Sequence, residues 1–372
     1  MGRIDTYHMM VISQYLMTFE DFVKIQSVCK KYNETIKKFH YNPIALTRKE
    51  RKHFINIETY NLYNEEDNVF TDGNIFKLVV WFKVNYLSTL AFEKYNVVFK
   101  RIEFTVVDRN RCMTHIPSHT QILGERVFEG CFLMEKVKLP STLQIASNFC
   151  FNECRMLRQI ELPEKMLYIG NYCFNNCSNL KEVRMCENVV FIGDGCFKNC
   201  RHLRSIRLST HVEKIGNSCF ADCFELEEIS LPTTLSNIPF QCFSNCKSLK
   251  EIDVPMSVTK IWSFAFKNCV ILSRIWMSEK VESIGCGAFL NCRELEQIDL
   301  PSNIKEVPQN CFKDCYRLSS LTMSSSVNTL KDYCFTNCIK LAEIEIGRDV
   351  KLGFGCFKGC NVLALRRRVM ED

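Results

Sequence analysis

The sequence contains no long apolar run, little excess of charge and no glycine-rich phosphate loop. A membrane span needs roughly 18 consecutive apolar residues, and no segment of the 372-residue chain approaches that length. The formal net charge is +6, whereas proteins that hold nucleic acid usually carry a concentrated basic face and a higher isoelectric point. We therefore expect neither a membrane span nor a nucleic-acid partner.

The usual signs of catalysis are also missing. The 14 glycines form no motif that would cradle a phosphate. His115 and His119 are four residues apart, but Pro117 between them argues against a helix that would align the two rings. The sequence therefore predicts a protein that is not an enzyme and that has no catalytic residue, cofactor or metal ligand.

A secretory leader is not evident. The apolar stretch 9–17 is short and runs into Glu20 and Asp21 without a small-residue cleavage site. Cysteine, in contrast, is abundant, with 23 residues. An odd number of regularly spaced cysteines in a chain of this size favours reduced thiols, so we expect a cytoplasmic protein.

One motif recurs through the C-terminal two thirds of the chain. It is a phenylalanine three residues before a cysteine, repeated at a constant 23-residue step until the last copy, which comes one position early. The unit reads roughly P-x-x-V-x-x-I-G-x-x-C-F-x-x-C-x-x-L-x-x-I-x-L, with a clear copy from Pro163 to Met185. Its closing I-x-L alternates inward and outward, which is typical of a short strand. The phenylalanines are Phe128, Phe151, Phe174, Phe197, Phe220, Phe243, Phe266, Phe289, Phe312, Phe335 and Phe357.

A single unit is too short to bury its own apolar side. Stacked units would each add one strand to a parallel sheet and about seven apolar side chains to a shared core. Strands about 4.8 Å apart would extend the array over roughly 50 Å and give it a curved, concave sheet face. We therefore predict an α/β repeat solenoid from residue 111 to 372, with about eleven units.

The unit resembles the BspA-like (treponemal-class) leucine-rich repeat, a family expanded in parasitic amoebae. The resemblance implies a right-handed solenoid that binds proteins, often at cell surfaces. The segments 38–43 and 79–84 are similar to the leader of amoebal members. A cell-surface adhesin is thus an alternative to a cytoplasmic binding protein.

Eight copies of the unit carry two cysteines, as C-F-x-x-C. Zinc sites generally need four ligands, and no histidine recurs in the unit. In three copies Val127, Ala265 or Ala288 replaces the first cysteine. Valine and alanine can take the place of a small buried hydrophobic side chain, but they cannot bind a metal ion. Core packing of reduced thiols is the favoured interpretation, with disulfides and metal sites as alternatives.

In each predicted strand the fifth and seventh residues after the second cysteine should point away from the core. They change from copy to copy while the core positions do not. Basic side chains come early in the array and acidic ones late, and Trp276 lies beside Arg274, two residue types that dominate interfaces. A solvated face that simply varies is the alternative. The predicted partner-binding residues are Lys136, Lys138, Arg184, Arg207, Glu251, Asp253, Arg274, Trp276, Asp299, Glu343 and Glu345.

Residues 1–45 show no repeat and predict two or three short helices, one of them starting at Thr18-Phe19-Glu20-Asp21. The stretch 9–32 is similar to an F-box, which implies docking on the Skp-type adaptor of a cullin ubiquitin ligase. A helical cap on the solenoid is the alternative.

Residues 46–110 are predicted to be a capping subdomain or degenerate repeats. Strands are expected at Phe54–Tyr63 and Val97–Val107 around an apolar segment, Leu78–Tyr86.

Overall fold

The computed structural model describes residues 4–70, 72, 75–113, 115–347, 349–361 and 364–367. The chain divides into two compact units, Met1–Phe104 and Thr105–Asp372.

The first unit opens with short helices, as the sequence predicts. Helix α1 is Thr6–Ser13, α2 is Phe19–Val28 and α3 is Arg48–Arg51, with 3₁₀ turns at Lys30–Tyr32 and Ile36–Lys38. The hydroxyl of Thr18 caps α2 by accepting the amide N–H of Asp21 at 3.3 Å. This oxygen satisfies an amide that has no partner within the helix.

Three parallel strands complete the first unit: β1 (Thr59–Leu62), β2 (Lys77–Asn85) and β3 (Val97–Phe104), with helix α4 (Tyr86–Leu90) after β2. Thr59 pairs with Lys77 and Leu78 with Val97, so successive strands follow each other at a shorter step than the repeat of the second unit. Predicted strands appear at β1 and β3, but the apolar segment 78–86 is mostly a strand as well.

One aromatic core joins the helices and the strands of this unit. Phe22 and Phe39 from the helical part pack in the same buried cluster as Phe54, Tyr60 and Val80. The domain boundary expected near residue 45 therefore falls within one hydrophobic cluster, because buried side chains from both sides of that boundary belong to it.

The second unit begins with helix α5 (Val106–Cys112) and continues as stacked coils. Most coils contain two strands, one from each of two sets, and the described part of this unit has no further helix. We name the strands of three or four residues the long strands. They are β6 (Gln159–Glu161), β8 (Glu182–Arg184), β10 (Ser205–Arg207), β12 (Glu228–Ser230), β14 (Glu251–Asp253), β16 (Arg274–Trp276), β18 (Gln297–Asp299), β20 (Ser320–Thr322), β22 (Glu343–Ile346) and β24 (Ala364–Arg367).

The other set of strands, here named the short strands, contains two residues each. They are β4 (Ile122–Leu123), β5 (Ile145–Ala146), β7 (Tyr168–Ile169), β9 (Phe191–Ile192), β11 (Lys214–Ile215), β13 (Asn237–Ile238), β15 (Lys260–Ile261), β17 (Ser283–Ile284), β19 (Glu306–Val307), β21 (Thr329–Leu330) and β23 (Lys351–Leu352).

Both sets pair in parallel at the repeat step. Gln159 pairs with Glu182 in the long strands and Tyr168 with Phe191 in the short strands, so both follow the same 23-residue period as the phenylalanines. The predicted parallel-sheet solenoid is therefore confirmed, but most coils contribute two strands instead of the single strand expected.

The recurring phenylalanines form one column inside the coils. All are buried except the last, Phe357, which is half-buried. Neighbouring rings are nearly parallel, as for Phe151 and Phe174 with centroids 5.2 Å apart and planes inclined by 3°. The spine predicted from the 23-residue period is thus confirmed.

The turn between the two cysteines depends on left-handed backbone. The residue just before the second cysteine has a φ of +58° to +75° in every coil from Gly130 to Gly359. Asparagine, aspartate and glycine tolerate this conformation best, and they fill the position in all coils except that of Glu153. Several of these side chains also bond coil to coil, as Asn268 Nδ2 donates to Asn245 Oδ1 at 2.7 Å.

Candidate recognition face

The long strands present one row of side chains inward and two outward. In β14 the middle residue Ile252 is buried while Glu251 and Asp253 are exposed, and most other long strands repeat this pattern. Side chains alternate sides along a strand, so the exposed residues share the outer side of the long-strand stack. We name this surface the long-strand face.

A groove of about 730 Å³ lies on the long-strand face in mid-array. It brings together four predicted binding residues: Arg207, Glu251, Asp253 and Trp276. Trp276 is 49% exposed. The groove is thus lined by a large aromatic ring with charged groups close by, a combination suited to a peptide side chain.

The strand register fixes which groups are neighbours in the groove. Asp253 pairs with Trp276, and Glu251 pairs with Arg274, across β14 and β16. Each pair points the same way because the strands are parallel and in register. The indole of Trp276 therefore lies beside the carboxylate of Asp253, and the guanidinium of Arg274 lies beside that of Glu251.

Other predicted residues lie outside the groove lining. Lys136 and Lys138 are in irregular chain and not in the strand that was predicted there. Arg184 is already paired, with its Nε 2.7 Å from Glu182 Oε1, which holds the guanidinium pKa above its usual value. Asp299, Glu343 and Glu345 are on β18 and β22, further along the array.

The groove also contains residues outside the predicted set. Met256, 71% exposed, lies in the loop after β14, and Glu228 lies on β12. The repeat pattern predicts outward residues only within the strands, so it did not predict a contribution from that loop. A methionine directly after Pro255 was the available signal in the sequence.

The cysteines are free thiols, with no disulfide among the 23. From Cys154 onward, the second cysteine of each coil donates to a main-chain oxygen: Cys177 Sγ lies 3.2 Å from the carbonyl of Phe151, one coil earlier. Burial raises the pKa of Cys154 to about 12 and that of Cys223 well above 9.0. Such thiols are protonated and unreactive at neutral pH.

Within the described residues, no group of three or more histidine, cysteine or carboxylate side chains is placed to hold a metal ion. The part of the chain that can be described also has no helix with the length and apolar character that a bilayer crossing requires.

Sequence comparison matches most of the second unit to a known repeat. Segments 110–226, 187–280, 213–341 and 261–366 match the "BspA type Leucine rich repeat region", in six copies. The protein belongs to the BspA-type leucine-rich-repeat family. No curated protein matches the sequence. Membership in this family of repeat proteins is consistent with a non-enzymatic binding role.

Solved structures of other repeat proteins are similar to the chain. One is a leucine-rich repeat protein from Eubacterium ventriosum, with 17% identity, a TM-score of 0.48 and 87% of each chain covered. Another is the pneumococcal vaccine antigen PcpA, with 16% identity, a TM-score of 0.47, and 85% of this chain and 80% of that one covered. A third, from Bacteroides ovatus, has 22% identity and a TM-score of 0.38, with 59% and 81% covered.

Proposed function

We propose that the protein is a non-enzymatic binding protein that holds a protein partner on its long-strand face. The observation that carries this proposal is the groove around Trp276, because an exposed indole on a rigid sheet is costly to leave in water and is frequent at interface hot spots. The coils that present it are held by the buried phenylalanine column, so the face is preorganised for binding.

Charge along this face supports the same function. Arg207 is exposed on β10, whereas Glu251, Asp253 and Asp299 are exposed on later long strands. Such a gradient would orient a partner of complementary charge and speed its association. The effect on the association rate would be larger than the effect on affinity.

Replacement of Trp276 tests the proposal. Trp276→Ala should leave the fold intact, because the ring is outside the core, and should weaken partner capture by about 2 kcal/mol or more, or roughly thirtyfold. The measurement is affinity purification from the native cell with wild-type and variant full-length protein, followed by titration of the captured partner.

Trp262→Ala is the matched control. Trp262 is 43% exposed next to short strand β15, so its loss removes a ring of the same kind from a different surface. If both variants capture the partner equally well, or if only Trp262→Ala fails, the long-strand face is not the binding surface.

The adaptor-binding alternative rests on a separate observation in the first unit. Ile12 and Tyr15 in and after α1, and Val23 and Val28 in α2, are exposed apolar side chains within the F-box-like stretch 9–32. An adaptor surface would cover them. The protein would then be a substrate receptor of a cullin-type ligase, with the substrate on the long-strand face.

Co-purification of a Skp-type protein decides this alternative. Val23→Asp with Val28→Asp should abolish the association while leaving capture on the long-strand face unchanged. Absence of such a protein from the wild-type purification would contradict the adaptor role. Labelling of unpermeabilised cells separates the cytoplasmic location that we propose from the cell-surface adhesin alternative.

A further inference from the structure

The three tryptophans of the chain differ in whether a cation of the protein covers the indole ring. Lys100 Nζ lies over the ring of Trp81, 5.4 Å from its centroid, and Lys260 Nζ lies 3.6 Å from the ring centroid of Trp262. No lysine or arginine of the described residues lies over Trp276. Its indole therefore offers a free π face, the type of surface that attracts a cation.

The charges around Trp276 favour the same ligand. Asp253 is its register partner in β14, and Asp299 holds the equivalent position one coil further on. The spacing of coils in the core at this point is 5.5 Å, from Phe266 to Phe289. The ring therefore has a carboxylate in the same row on either side.

These carboxylates are not neutralised by the protein itself. Asp253, Asp299, Glu228 and Glu251 form no ion pair with any residue that the structure describes. Arg274 belongs to the other outward row, opposite Glu251. The nearest cation in the row of Trp276 is Arg207, which lies three coils before the indole and has the Glu187 carboxylate 4.0 Å away. A positive charge supplied from outside would meet uncompensated negative charge and an open aromatic ring.

The groove also has an apolar part beside this row. Pro255 and the exposed side chain of Met256 line it together with Trp276. An aliphatic stem that ends in a cation fits such a mixture, because the stem packs on apolar groups while the head group stays among carboxylates.

We propose that the groove binds a basic segment of a protein, with a lysine or arginine side chain against the indole of Trp276 between Asp253 and Asp299. This inference rests on the proposed function and specifies its partner. Charge complementarity selects the occupant: an acidic segment would be repelled by Asp253 and Asp299 beside the ring, and a neutral one would leave these two carboxylates uncompensated.

Defined peptides test the inference on the full-length protein. The probe is fluorescein-labelled (Gly-Arg)₃-amide, compared with the same peptide carrying citrulline, a neutral isostere of arginine, and with (Gly-Glu)₃-amide. Fluorescence anisotropy should show saturable binding of the arginine peptide only. Its affinity should fall by about tenfold in Trp276→Leu.

Neutralising the flanking carboxylates gives a second, independent change. Asp253→Asn with Asp299→Asn should lower the affinity about fivefold and flatten its dependence on salt. Trp262→Leu and Glu282→Gln, an aromatic and a carboxylate next to the short strands, are the matched controls and should change nothing.

The outcomes separate this inference from the proposed function. Equal binding of the arginine and citrulline peptides, equal loss in the Trp276 and Trp262 variants, or no measurable binding of the arginine peptide overturns the inference. If Trp276→Ala nevertheless abolishes capture of the native partner, the long-strand face still binds a protein, but one of different chemistry.

Discussion

The second cysteine of the repeat has a more specific role than filling space. It is present in all eleven coils, whereas the first cysteine is replaced by Val127, Ala265 or Ala288 in three of them. The structure explains the difference, because the second thiol donates to the phenylalanine carbonyl of the preceding coil, as Cys246 does to Phe220 at 3.2 Å. Alanine or valine can fill the volume of a thiol but cannot donate.

Alanine at the two cysteine positions of one coil should therefore have unequal effects. Cys246→Ala should destabilise the protein by about 1 kcal/mol more than Cys242→Ala, which is the net worth of one hydrogen bond. Urea denaturation of the two variants under reducing conditions measures the difference. Equal losses would mean that the thiol contact contributes nothing beyond packing.

Gly195 illustrates a position whose residue type is restricted by a neighbour in the preceding coil. Its φ is +55°, but Ser218 and Gln241 hold nearly the same φ in other coils, so conformation alone does not require glycine. A Cβ at Gly195 would lie 2.3 Å from Cε1 of Tyr172. The tyrosine ring covers this position and excludes any side chain there.

Gly195→Ala should accordingly destabilise the protein by about 1–3 kcal/mol through overpacking. The double variant Tyr172→Ala with Gly195→Ala should lose less than the sum of the two single variants, because the clash is removed with the ring. Thermal or urea unfolding of all four proteins completes the cycle. Simple additivity would contradict this explanation.

Among the structural elements, the phenylalanine column is the one that the sequence predicted best. A fixed 23-residue step places Phe128 to Phe357 at one position of successive coils, and their burial follows from stacking alone. The long strands followed from the alternation in I-x-L. These features depend on patterns of side chains, which a sequence displays directly.

The elements that were missed depend on backbone geometry. A two-residue strand such as Tyr168–Ile169 is too short to show any periodicity, so the short strands were not predicted. Lys136 and Lys138 match the repeat but lie outside any strand. In the candidate site the outward rows were predictable from alternation, whereas the contribution of Met256 depends on the path of a loop.

Loss of one ring from the column should be costly. Phe243 is fully buried between Phe220 and Phe266, so Phe243→Ala should destabilise the protein by about 3–5 kcal/mol. Phe354→Ala is the control, because that ring is 72% exposed, and should cost less than about 1 kcal/mol. A small loss for Phe243→Ala, measured by denaturation, would contradict the shared spine.

For the whole molecule, the buried thiols predict sensitivity to alkaline pH. Burial raises the pKa of Cys154 from 9.0 to about 12, and those of Cys196 and Cys246 also rise well above 9.0. When the pKa of a group is higher in the folded state than in the unfolded state, the group contributes its full stability below the unfolded pKa. That contribution is lost as the pH rises through the folded pKa.

Stability should thus begin to fall near pH 9, by up to about 1.4 kcal/mol per pH unit for each buried thiol. Urea midpoints measured at pH 8, 9 and 10 with reductant test this expectation, and Cys196→Ala should make the decline less steep. A midpoint that stays constant from pH 8 to 10 would show that the thiols are not linked to unfolding.

The common register of the coils has a consequence for how such a protein can change in evolution. Since Gln159–Glu182 and Glu251–Arg274 meet at the same 23-residue step, an in-frame gain or loss of one entire coil would join two compatible edges. Recombination between repeats can then alter the reach of the array without creating a new interface. A slip of one residue within a long strand would instead turn its outward side chains toward the interior.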